Sequence, residues 1–344
     1  MRRLMQRILT GAALAACAAF PLAATAQKVT IATAADSFQY VLQDVAIDGG
    51  YFQQEGLTAD PVVFDSGTKQ SAAIMSDSGV VVGPIGLIHN IKASAAGGNL
   101  VGINRLLDVM DVYIVMSNAA LQKSGITPEM SVDEKVQRLK GLRIGITGPG
   151  STVDTAVRAL FKARGIDPDK DAKLLPLGAP ANMIAAMEKN ATDAFAYPAP
   201  WPSIAASRGL GKVIIDPFSD NIPEIKGVPF NIIATNRELV EKNPVMVEKI
   251  VRVFTRAMKF VKENPDGAKQ IMRKRFPDMD EALFNTLWAS YRKALPDDPV
   301  ITQQQFDATQ KWLNITSQPA FTQKYDQVVY SKAATAAAKS ILGK

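Results

Sequence analysis

The sequence holds one cysteine, Cys17, and one histidine, His89, in 344 residues. A lone cysteine excludes an internal disulfide, and with a lone histidine it excludes a Cys/His zinc cluster. A Ser–His or Cys–His dyad would have to run through His89, which lies between Ile88 and Ile91 in an apolar helical stretch and reads as a packed side chain. Aromatics are sparse at 7%, and no Lys/Arg run is interleaved with them, so nothing points to nucleic acid. The formal charge of +6 falls to +3 without Arg2, Arg3 and Arg7, which sit in a segment expected to be removed. No stretch after residue 26 approaches a membrane span. What remains is an ordinary globular composition, 47% hydrophobic and 21% charged, large enough for two domains.

Residues 1–26 read as an export signal. Met1 to Arg7 is basic, Ile8 to Ala26 carries no charge, and Ala24-Thr25-Ala26 supplies small residues at the cleavage site before Gln27. Leu14-Ala15-Ala16-Cys17 also fits a lipoprotein box, which would make Cys17 a lipid-bearing terminus. A retained anchor is a third reading, weakened by the proline that interrupts the run. A cleaved signal ranks first and places the mature chain in the periplasm.

The chain then alternates strand and helix, the pattern of a parallel sheet flanked by helices. Lys28–Thr33 is a strand, Phe38–Ile47 a helix, and Asp60–Phe64 a second strand. Asp65-Ser66-Gly67-Thr68 turns into a helix over 69–75, followed by a strand over 79–82. A helix through His89 and Lys92 and a strand over 100–104 complete the unit. After Asp111–Met116 the pattern begins again. Ile144 and Ile146 form a buried strand, and Gly148-Pro149-Gly150 turns sharply into a helix with Ser151 as N-cap and Asp154 completing a capping box. The unpaired N–H groups of that first turn, with the Ser151 and Thr152 hydroxyls beside them, favour a small anion. Asp154 and Asp193 read as capping and turn residues, and Arg105 as one partner of a structural ion pair; no acid/base pair and no metal or cofactor site is indicated.

Segments 62–84 and 174–198 both read apolar strand, small-residue turn, Ala/Met helix, apolar strand, proline, which fits two similar α/β lobes. After a last strand at Phe230–Thr235 the chain is helical, with Asn243-Pro244 and Asn264-Pro265 as start signals. The Lys269, Arg273, Lys274, Arg275 cluster reads as a solvated face.

Residues 28–57, KVTIATAADSFQYVLQDVAIDGGYFQQEGL, resemble the start of periplasmic binding proteins of nitrate, sulfonate, taurine and thiamine-precursor ABC transporters. Gly50 to Leu57 is close to the G-Y-F-x-x-E-G-L of that family, and LKGLRIGITGPGSTVD (139–154) to its L-K-G-x-x-I-G-V…G-S. The likeness runs to about Trp312. The family usually has Gly-x-x-Asp before a first-lobe strand, where Ser76-Asp77-Ser78-Gly79 stands here. The cysteine-rich motif of eukaryotic pyrimidine-synthesis relatives is absent.

The resemblance implies an α/β, two-lobed periplasmic-binding-protein fold (type II-like), each lobe a mostly parallel sheet flanked by helices. Lobe 1 would comprise 27–115 and 228–344, and lobe 2 116–227, closing about a hinge near Tyr113 and Ile232. It implies ligand contacts at Ser37, Phe38 and Gln39, at Gly67 and Thr68, at Pro84 and Gly86, at Gly150, Ser151 and Thr152, and at Tyr197. Phe38, Tyr40, Tyr197 and Trp201 are the candidate aromatic walls. The expected protein is a monomeric, non-enzymatic binding component that delivers a small organic anion, a sulfonate or carboxylate, to an inner-membrane ABC permease. Rival readings are a neutral pyrimidine-type ligand, an enzyme on the same fold, and a periplasmic sensor subunit.

Overall fold

The computed structural model describes residues 26–76 and 81–344. Cys17, nearly all of the expected export signal, and the Asp77–Val80 stretch, with the start of the strand expected there, lie outside the described residues.

Among the described residues ten strands form two five-stranded sheets of the same plan. The first is ordered β2 (Leu57–Val63), β1 (Gln27–Thr33), β3 (Val81–Ile85), β10 (Asn231–Asn236), β4 (Leu100–Leu107). The second is ordered β7 (Lys173–Pro176), β6 (Arg143–Ile146), β8 (Ala194–Tyr197), β5 (Tyr113–Ser117), β9 (Gly211–Ile215). In each sheet four strands share one direction, and the fourth in spatial order, β10 or β5, runs against both neighbours. Those two are the strands entered after the chain crosses between sheets, at 108–112 and at 216–230. The repeated segments occupy equivalent places, as the β2-helix-β3 and β7-helix-β8 units.

Local signals explain much of the helical part. The Ser131 capping box forms, with Glu134 reaching back to the Ser131 N–H. Asn243 and Asn264 cap the Pro244–Glu263 and Pro265–Arg275 helices through their side chains. Ser151 caps the Thr152–Lys162 helix by accepting from the Asp154 N–H at 3.1 Å. The box expected there is altered, because the Asp154 carboxylate reaches one residue further back, to the Gly150 N–H at 2.7 Å. The glycine motif before β2 acquires a physical reason. Gly50 and Gly56 take φ of +74° and +70°, and Glu55 between them is clamped by Arg252 and Arg256, each at 2.7 Å. That clamp fixes the long Pro244 helix, whose Val247, Ile250, Val251, Phe254, Met258 and Val261 are buried against the first lobe. Each such side chain contributes roughly 1.5–3 kcal/mol.

Phe38 belongs to this packing. It lies in a short 3-10 turn, Phe38–Tyr40, and not in the expected longer helix, which begins at Val41. Its ring stacks on Phe276 at 5.0 Å and tilts against Phe284 and Tyr291. Arg105 makes the expected structural pairs, with Asp108 and Asp298, and Asp193 pairs with Arg143 at 2.8 Å.

Candidate functional site

A cavity of about 50 Å³ lies where the carboxyl ends of β1, β3, β6 and β8 converge, the position at which open α/β sheets take ligands. It has room for about three water-sized groups. Three helices open onto it. Ser66 and Gly67 begin the Gly67–Met75 helix, Gly86 caps the Leu87–Ala95 helix, and Ser151, Thr152 and Val153 begin the Thr152–Lys162 helix. The first N–H groups of a helix have no intrahelical partner, so three sets of donors and three positive dipole ends share one small volume.

Side chains complete the wall. The Gln70 amide nitrogen is held by the carbonyls of Ala32 at 3.0 Å and Pro84 at 3.3 Å, which directs its oxygen toward the Tyr40 hydroxyl. Asn231 donates to Gln39 Oε1 at 2.6 Å, leaving the Gln39 amide N–H groups to face the cavity. Ser151 Oγ accepts from Thr147 Oγ1 at 2.7 Å as well as from the Asp154 N–H, so its own proton is free to point inward. Burial pushes the Tyr40 and Tyr197 hydroxyls well above the ordinary phenol range, and both remain neutral donors.

His89 lines the cavity, and Thr152 Oγ1 stands 3.3 Å from its Nε2. Burial and then the nearby Lys92 charge lower its pKa to about 3. The imidazole is therefore neutral. Two glycines make this arrangement possible. A Cβ on Gly67 would lie 2.7 Å from His89 Nε2, and one on Gly86 would lie 2.4 Å from Thr152 Oγ1. Among the described residues lining the cavity none is Lys or Arg, and Asp65 is the one carboxylate. Lys69 pairs with that Asp65 at 2.8 Å, and Lys92 lies one turn behind His89, where burial lowers its pKa to about 8.

Of the residues expected to meet a ligand, Gln39, Gly67, Pro84, Gly86, Ser151, Thr152 and Tyr197 come together here. Ser37, Phe38, Thr68, Gly150 and Trp201 do not. Four of those five join the sheets to each other. Ser37 Oγ donates to the Ala199 carbonyl at 2.5 Å, and the Trp201 indole donates to the Asp36 carbonyl at 2.8 Å. Thr68 Oγ1 donates to the Pro149 carbonyl at 3.3 Å, and Lys92 Nζ to the Gly150 carbonyl at 2.9 Å. Phe38 points away because the C-terminal helices offer it an aromatic nest. Gln70, His89 and Asn231 are cavity residues that the strand-end reasoning did not select. Gln70 had one sequence signal, as a polar side chain in an Ala/Met-rich helix.

Behind the cavity, at the crossings between sheets, Asp111 is fully buried. Its Oδ1 accepts a long bond from the Ala199 N–H at 3.4 Å, and burial raises its pKa to about 8. The Tyr291 side chain faces it and interacts with its carboxyl group, and Asp216 lies nearby.

Comparison with known proteins adds kinship. A profile described as the NMT1-like family matches residues 23–274. The chain is 26% identical over 247 residues to the nitrate/nitrite binding protein NrtA of Nostoc sp., covering 63% of this chain. It spans about half, 50%, of that relative's length. A solved protein of Bordetella bronchiseptica is 20% identical with a TM-score of 0.77, over 91% of this chain and 97% of that one. The alkanesulfonate-binding protein SsuA from Xanthomonas axonopodis, bound to MOPS, is 17% identical with a TM-score of 0.67, over 90% and 100%. These structures share the two-lobed α/β fold. Among the described residues no helix is long and apolar enough to cross a membrane.

Proposed function

The chain belongs to the NMT1-like family, and from that premise we propose that it is the solute-binding component of an ABC importer that captures a small organic anion of the sulfonate or carboxylate class. One lobe carries the sheet of β1 to β4 and β10 with the C-terminal helices and the other the sheet of β5 to β9, joined by the crossings at 108–112 and 216–230. The exported chain works in the periplasm, with its signal cleaved before Gln27, and the closed form docks to an inner-membrane permease as a monomer.

The observation that carries the reading is the convergence of three helix N-termini on one small cavity. Each contributes about 0.3–1 kcal/mol toward a negative group, or about 1–3 kcal/mol together. The Ser151 and Tyr197 hydroxyls and the Gln39 amide add charge-assisted bonds worth roughly 1.5–3 kcal/mol each when an anion accepts them. A neutral His89 beside Thr152 supports binding and not chemistry.

The test is thermal unfolding of the exported protein with methanesulfonate, longer sulfonates, aliphatic and aromatic carboxylates, nitrate and neutral pyrimidines. A true ligand at 100 times its Kd adds about 2.7 kcal/mol of stability. Stabilisation by neutral heterocycles alone would overturn the anion reading.

A further inference from the structure

The two crossings between the sheets meet around a buried acid. Asp111, on the first crossing, is fully buried. Asp216 opens the second crossing, and the Tyr113 hydroxyl, at the start of β5, donates to it. The Phe218 ring, two residues further on, stacks on Tyr113 at 6.0 Å and lies against Tyr291 at 4.9 Å. Tyr291 comes from the Glu281–Ala294 helix, which packs on Phe38 of the first lobe, and its side chain meets the Asp111 carboxyl group. From the second lobe, just after β8, the Ala199 N–H reaches Asp111 Oδ1. Asp111 is therefore covered from both lobes and both crossings.

No cation balances it. The groups that act on its carboxyl are the Tyr291 hydroxyl, the Ala199 N–H, Asp216, and the Tyr40 and Tyr113 hydroxyls. Among the described residues no Lys, Arg or His is its partner. A dry carboxyl without a cation holds its proton, and burial raises its pKa to about 8. The same acid adjoins the cavity. Tyr40 lines the cavity and feels the charges of both Tyr197 and Asp111, and Ala199 directly follows the lining residues Tyr197 and Pro198. An anion in the cavity and a negative Asp111 would repel each other through this poorly solvated corner. Its cover also depends on how the lobes meet, because Ser37 Oγ and the Phe38 N–H bond the Ala199 carbonyl from the facing lobe.

Resting on the anion reading of that cavity, we propose that the protein takes up a proton as it captures its anion, and that Asp111 is the residue that holds it. When the lobes part, Ser37-Phe38 leave Ala199, water reaches the carboxyl group, and Asp111 is an ordinary carboxylate, ionised above about pH 4. Closure on the anion withdraws that water and adds a second negative charge, and the carboxylate takes its proton from solvent. The closed complex then avoids two like charges in one dry corner. Because the bound form carries more protons than the free form, affinity is highest in acid and falls as pH rises from about 4 toward about 8.

A pH-stat reads the uptake directly, at neutral pH and without buffer, as the exported protein is mixed with sodium methanesulfonate, propane-1-sulfonate, acetate or nitrate. Uptake should lie between about half a proton and one proton per anion bound, and the calorimetric Kd in imidazole and Tris buffers should rise about three- to tenfold per pH unit between about pH 6 and 8. Asp111→Asn should bind with no uptake and with a Kd nearly independent of pH. Lys92 also titrates near pH 8, at about 8, one turn behind His89, and Lys92→Gln should keep the uptake. Should Asp111→Asn fail to fold, the uptake of the parent and its persistence in Lys92→Gln still decide. The coupling is overturned if an anion binds with no proton uptake and a flat Kd, if Asp111→Asn takes up the proton as before, or if Lys92→Gln abolishes the uptake. In each of those cases the anion reading stands. If none of the four anions binds, that reading fails and the coupling with it.

Discussion

Alanine at Gly86 would separate closure from folding. Gly86 has φ −69° and ψ 138°, a conformation any residue adopts, so the substitution does not strain the backbone. The cost is across the cavity. The new Cβ would lie 2.4 Å from Thr152 Oγ1, and 3.4 Å from both Thr152 Cγ2 and the Phe230 carbonyl oxygen. Thr152 belongs to the helix after β6 and Gly86 to the turn after β3, so the clash exists only while the two sheets face each other closely. Forcing an extra methyl into a packed contact costs typically about 1–3 kcal/mol. Charged to the closed form, that is about a 5- to 150-fold rise in Kd. Titration of a ligand found in the thermal screen would measure it for Gly86→Ala, Thr152→Ala and the double variant. Thr152→Ala removes both clashing threonine atoms, so adding Gly86→Ala to it should cost little, a coupling visible in the cycle. The reasoning is refuted if Gly86→Ala binds as tightly as the parent, or if its cost is the same in the Thr152→Ala background.

Three further outcomes are expected. Ser151→Ala with Thr152→Ala should weaken a bound anion by tenfold or more, and should lower stability by about 0.5–2 kcal/mol through loss of the N-cap; unchanged affinity in a titration would remove these hydroxyls from the site. Phe38→Ala should cost about 3–5 kcal/mol in denaturant unfolding, because the ring is core and not cleft; a loss confined to ligand affinity would contradict that placement. Asp111 holds its proton in the folded chain up to about pH 8, while the unfolded chain releases it near pH 4, so its contribution to stability is full below about pH 4 and is lost as pH rises through about 8. Asp111→Asn keeps the acceptor for the Ala199 N–H and removes the titration; urea melts from pH 5 to 9 should therefore fall less steeply with pH than those of the parent, and parallel curves would argue against the buried proton.

What could be read from the chain alone was whatever is decided within a few residues. The caps at Ser131, Ser151, Asn243 and Asn264 depend on a side chain meeting an N–H two or three positions ahead, and the strand-turn-helix units depend on periodicity and glycine. The repeat at 62–84 and 174–198 carried the two-lobed plan, since each segment is complete in itself. The cavity lining was legible only in part. Ser151, Thr152 and Gly67 sit on helix starts that the sequence marks. Phe38 and Gln39 are adjacent, yet one packs on Phe276 and the other faces the cavity, because a 3-10 turn sends neighbours in different directions and the aromatic nest comes from far along the chain. Asn231 arrives from a strand that crosses back from the other sheet, and His89 enters because Gly67 leaves space for its ring. Such contacts rest on how the two lobes meet, a long-range geometry that no local pattern encodes, so tertiary structure alone decided which polar groups line the cavity and which join the sheets to each other.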